Sequence, residues 1–147
     1  MIRNEFGKRL LVAVVGSLGL YACFGGSEEA PGEVPTFDEV SESEVITALG
    51  NEPFWNAEIE ADTLTYSTPE NIAGQVITVT RFAGNGGLGF SGELNGEPFN
   101  LAVTPGECLD TMSDRSYPFT ATLTIGDELR NGCAYTDIQM FTGEGAN

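Results

Sequence analysis

Histidine is absent from the 147 residues. Ser-His-Asp, Cys-His and His-ligated zinc chemistry are therefore excluded. Base is scarce: Lys and Arg number 6 against 22 Asp and Glu, a net charge of −16. A polyanion such as DNA would be repelled, because affinity for it comes largely from Lys and Arg neutralising phosphates; nucleic acid is not an expected partner. Long apolar runs are missing too. The mostly apolar, uncharged run near the start, residues 10–20, has 11 residues, short of the roughly 20 that a spanning helix needs. Tryptophan occurs once and cysteine three times, an odd count that leaves one thiol to be explained.

What is present begins with an address. Arg3, Lys8 and Arg9 precede the apolar run LLVAVVGSLGL, the order of a secretory signal. Leu20-Tyr21-Ala22-Cys23 follows directly and resembles a bacterial lipobox. The resemblance implies cleavage before Cys23 and attachment of lipid to it. Phe24, not Asp, comes next. By resemblance to Gram-negative lipoproteins this implies an outer-membrane anchor facing the periplasm. Several acyl chains would hold stably, at roughly 0.8 kcal/mol per buried CH₂. The alternative is an ordinary buried or disulfide-bonded Cys23. Loss of residues 1–22 leaves Arg81, Arg115 and Arg130 against 21 acids, a net charge of −18, and no lysine.

Residues 24–44 carry seven acids, no base and no hydrophobic period. They read as a lipidated acidic tether over 23–44, kept extended by self-repulsion. The segment 45–147 is different. Val45–Leu49, Phe54–Glu60, Thr63–Ser67, Gln75–Phe82, Gly87–Leu94, Pro98–Thr104, Phe119–Ile125, Glu128–Tyr135 and Ile138–Phe141 are candidate strands. In Thr120–Ile125 the threonines share one parity, and Ala121, Leu123 and Ile125 share the other. Asn95-Gly96 between two such runs is a strong hairpin signal, since a type I′ turn needs positive φ at both central residues. No window carries an amphipathic helix. The expected fold is all-β: a small antiparallel meander barrel or closed sandwich of about eight strands. Secretion places Cys108 and Cys133 in an oxidising compartment, so they are expected to pair, with free thiols as the alternative. Their loop of about 26 residues corresponds to about 3.5 kcal/mol in the chain-entropy model.

Two segments concentrate distinctive residues: Gly50-Asn51-Glu52-Pro53-Phe54-Trp55, and Cys108 to Phe119 with Gly132-Cys133-Ala134 downstream. Over about residues 48–135 they resemble a group of small bacterial lipoproteins without an established activity. Members carry a G-N/T-E-P-F-W element and a later C…M-S-D-x-x-Y-P element, with Thr111 standing here where those members have glycine. A weaker resemblance is to the lipoprotein inhibitors of C-type lysozyme, small eight-stranded barrels with an S-G-x-x-Y loop. Ser113 and Tyr117 have that spacing, Asp114 replaces the glycine, and the inhibitors' later tryptophan-lysine-glycine stretch is missing.

Candidate binding residues are thus Asn51, Glu52, Trp55, Ser113, Asp114, Arg115 and Tyr117. Each also has a plain structural reading. Trp55 would be core, Asn51 and Glu52 a turn, and Asp114 an Asx-turn. Arg115 would pair with Asp110 or Asp114, and Tyr117-Pro118 would brace the strand entry. Three functions follow as expectations. The first is a non-catalytic envelope module, with the membrane as partner through the lipid. The second is an inhibitor of lysozyme, a basic protein suited to the −11 net charge of residues 45–147. The third is a hydrolase using Asp110 and Asp114 as paired carboxylates. Nothing in the pattern calls for a metal or another cofactor, and no twelve-residue EF-hand loop is present.

Overall fold

The structure, a computed structural model, describes residues 36–146. Cys23 and the signal segment lie outside the described residues. Nine strands follow in order: β1 Ile46–Asn51, β2 Phe54–Glu60, β3 Thr63–Thr68, β4 Asn71–Thr78, β5 Thr80–Ala83, β6 Leu88–Leu94, β7 Glu97–Leu109, β8 Ser116–Ile125 and β9 Glu128–Thr136. They form one antiparallel sheet in the order β4-β3-β2-β1-β9-β8-β7-β6-β5.

The two sheet ends are consecutive in the chain. Only Val79 separates β4, which pairs with β3, from β5, which pairs with β6. Asn71–Ala83 is in effect one kinked strand that hands the chain from one end of the sheet to the other. This brings the sheet into a nearly closed barrel of eight strand positions. Gly92 on β6 lies against the kink: a Cβ there would sit 2.7 Å from the Thr78 carbonyl oxygen and 3.1 Å from Val79. Near-closure removes most of the unpaired edge that an open sheet exposes.

Alternation decides the interior. Ile46 and Ala48, Ala57 and Ile59, Leu101 and Val103, and Ala121 and Leu123 are buried two by two along their strands. Their side chains, with Phe90, Phe99 and Phe119, fill the barrel, as is usual for barrels of this size. The opposite parity carries threonines on the outside, such as Thr104 and Thr120, whose hydroxyls lie 3.0 Å apart across strands. Asn95 and Gly96 take φ of 56° and 86°, as the hairpin reading requires.

Three expectations change. Ile138–Phe141 is not a strand: the N–H groups of Ile138 and Gln139 donate to the Thr136 hydroxyl, which turns the chain. β7 and β8 run further than the sequence suggests, because Pro105, Gly106 and Pro118 read as breakers. The register shifts between Pro105 and Cys108, so Pro118 faces the irregular stretch, where a missing N–H costs no ladder bond. The domain also begins before residue 45. Val40 is 2% exposed in the main core, and Phe37 packs against it. Arg81 donates to the carbonyls of Val40 and Ser41, and the Thr136 hydroxyl donates to Glu44 at 2.6 Å. Residues 36–44 therefore belong to the domain.

Candidate functional site

The extended ends of β7 and β8 form an arm beyond the regular ladder. Cys108 pairs with Tyr117 in register, and Leu109 with Ser116. Cys108 is bridged to Cys133 on β9 with Cα atoms 5.5 Å apart. β8 lies between β7 and β9, and two strand spacings in a flat sheet are about 9.6 Å. The arm must therefore coil over towards β9. The expected disulfide is present, and the Cys108 sulfur rests 3.5 Å from the Gly132 carbonyl oxygen.

Asp110 organises the tip of the arm. Its Oδ1 accepts from the N–H groups of Met112 (2.9 Å) and Ser113 (2.6 Å). Its Oδ2 accepts from the Ser113 hydroxyl (2.7 Å) and the Tyr117 hydroxyl (3.2 Å). The Ser113 hydroxyl, followed by the other donors, holds the carboxyl below the ordinary aspartate range. Burial pushes the Tyr117 phenol up. The Asx-turn expected at Asp114 is thus made by Asp110, four residues earlier.

Arg115 pairs with neither aspartate. Its Nε donates to the Glu144 carbonyl at 2.8 Å, and its guanidinium stacks 4.6 Å from the centre of the Phe141 ring. Ser116 exchanges backbone hydrogen bonds with Thr142. Phe141, Tyr117 and Tyr135 form a small aromatic cluster with Cys133. Arg115 and Tyr117 therefore fasten the segment after β9 to the arm. Asp114 is exposed.

Trp55 is 3% exposed and belongs to the barrel core. Its indole lies against two glycines of the barrel wall. A Cβ on Gly50 would collide with the indole Nε1, and one on Gly132 would collide with the Leu49 carbonyl and come within 2.9 Å of the ring. The wall is thin there because neither glycine puts a side chain between backbone and indole. The Trp55 Nε1 has no hydrogen-bond partner among the described residues.

Outside this thin wall is a cleft of about 290 Å³. Leu49 to Glu52 line one side, Cys108 to Thr111 another, and Asn131 to Cys133 a third. The two distinctive segments of the sequence thus meet at one place, joined by the disulfide. No protein-family model matches the chain, and no curated protein or solved structure matches it. Among the seven candidate residues, Asn51 and Glu52 line the cleft, Trp55 lies beneath its floor glycines, and Ser113 and Tyr117 act on it through Asp110. Asp114 and Arg115 are not part of its lining. Sequence reasoning missed Leu49, Leu109, Thr111 and Asn131 as lining. The Cys108–Cys133 pairing was the available signal, since it brings the neighbours of both cysteines together.

Proposed function

We propose that the chain is a non-catalytic lipoprotein of the Gram-negative envelope. It is anchored through Cys23 in the outer membrane, faces the periplasm, and binds a partner in the cleft between the two distinctive segments. One observation carries the binding part: residues 49–52 and 108–111, far apart in sequence, line the same cleft. A cleft lined by apolar walls with a few polar groups is the usual form of a binding site. The anchoring part rests on the order of basic start, apolar run and Leu20-Tyr21-Ala22-Cys23.

The other two readings receive less support from the geometry. An inhibitor that inserts Tyr117 into a lysozyme cleft needs that hydroxyl free, whereas Tyr117 is 2% exposed and bonded to Asp110. Loss of inhibition in Tyr117→Ala would therefore report damage to the arm and not a lost contact. A hydrolase using Asp110 needs a carboxylate open to substrate, and four donors already occupy both its oxygens.

Each part has its own test. Cys23→Ala should abolish lipid labelling and release the protein from the membrane fraction; unchanged labelling would contradict the anchor. For binding, the isotope-labelled full chain is mixed with unlabelled envelope extract. Resonances of Leu109, Thr111 and Asn131 should broaden selectively, with Ser91 on β6 unaffected. Uniform broadening, or none, would contradict a binding cleft.

A further inference from the structure

We propose that the cleft seats a lysine or arginine side chain presented by a basic protein partner, an inference that rests on the cleft being the binding site. The lining contains two carboxylates, Glu52 and Asp110, and no cation. Asp110 is saturated by donors of its own arm. Glu52 is exposed and makes no side-chain hydrogen bond among the described residues, so its charge is free for a ligand.

No cation elsewhere in the domain compensates. Arg81 is held by the carbonyls of Val40 and Ser41. Arg115 is held by the Glu144 carbonyl and the Phe141 ring. Arg130 is held by Glu128 and by the Tyr66 hydroxyl. Residues 36–146 carry 18 acids against these three arginines, a net −15. Such a field repels anions and speeds encounter with a basic macromolecule.

The walls suit the rest of a basic side chain. Leu49, Leu109 and the disulfide offer apolar surface for a methylene stem, while the charged head stays at the exposed rim beside Glu52. The arm that bounds the cleft also carries exposed apolar side chains. Leu109 is 67% exposed and Met112, three residues on along the arm, is 64% exposed. A small amine would leave both uncovered, whereas a protein surface would bury them.

The test titrates the full chain in detergent with capped pentapeptides, Leu-Gly-X-Gly-Leu, and follows amide resonances of cleft residues. X is lysine, arginine, acetyl-lysine or glutamate, and n-butylamine serves as the small-amine arm. Lysine and arginine peptides should shift Asn51, Thr111 and Asn131 saturably. Acetyl-lysine, glutamate and n-butylamine should bind at least about tenfold more weakly. Glu52→Gln should lower the lysine peptide to the level of acetyl-lysine while the melting temperature stays unchanged. Raising salt from about 20 to about 300 mM should weaken only the cationic peptides. Equal binding of lysine and acetyl-lysine, or no saturable shift by about 10 mM peptide, the weak end of measurable affinity, overturns the inference. Binding of n-butylamine as tight as that of the lysine peptide overturns the protein source. Selective broadening by envelope extract without a lysine preference would remove this inference and leave the binding cleft standing.

Discussion

Asp110 is the residue on which the arm turns. Its ionised form accepts every hydrogen bond described for it, so its folded pKa lies below the unfolded value. Its contribution is therefore complete above the unfolded value of about 4 and drains away as pH falls through the lower folded value. Asp110→Asn should lower stability at pH 7 by about 1.5–3 kcal/mol, the range for hydrogen bonds to a charged group. It should also flatten the acid limb of a urea-unfolding series; an unchanged acid limb would mean that Asp110 is not the acid-sensitive link. The glycines against Trp55 give a second expectation. Gly50→Ala or Gly132→Ala forces a methyl into the indole or the Leu49 carbonyl. Overpacking of this kind typically costs about 1–3 kcal/mol, and a shifted emission maximum of the single tryptophan would report it. Burial of Trp55 was legible from its place at a strand start. The role of Asp110 was not, because Ser113 and Tyr117 become its donors only once the arm has folded back.

The arm is the element that converts a common barrel into one with a cleft. Its disulfide links strands that are not neighbours. Reduction should therefore loosen the arm more than the barrel. The expected loss is about 2–4 kcal/mol by chemical denaturation. Amide-exchange protection should fall first at Cys108 to Tyr117, and an equal fall throughout β1–β3 would contradict a local role. Most strands were readable because alternation of apolar and polar residues survives wherever one face is buried: Phe54–Glu60 matches to the residue. The arm was hidden by its own composition. Pro105, Gly106 and Pro118 are strand breakers in sequence, and only the register shift between Pro105 and Cys108 reconciles them with pairing.

At the scale of the molecule, the acidic stretch before β1 divides into two parts. Residues 36–44 are built into the domain through Val40, Phe37 and Glu44. Burial works upward on the Glu44 carboxyl, but hydrogen bonds from Thr136, Ser41 and Gln139 hold it below the ordinary range. A domain cut at residue 45 should be less stable than one cut at residue 36 by at least about 2 kcal/mol, from the loss of buried aliphatic and aromatic contacts. Equal urea midpoints would show that the segment adds nothing. Composition concealed this because two apolar residues, Phe37 and Val40, sit among Asp38, Glu39, Glu42 and Glu44. Segment averages follow the majority, whereas packing follows the individual side chain.

The binding proposed here places the partner in the cleft beside the disulfide. In-cell photocrosslinking from single positions checks that placement. A photoreactive residue at Thr111 or Asn51 should give discrete adducts that disappear when Leu109→Arg blocks the cleft with charge, while the same residue at Ser91 gives none. Adducts from Ser91 equal to those from Thr111, or none from the cleft, would contradict that placement.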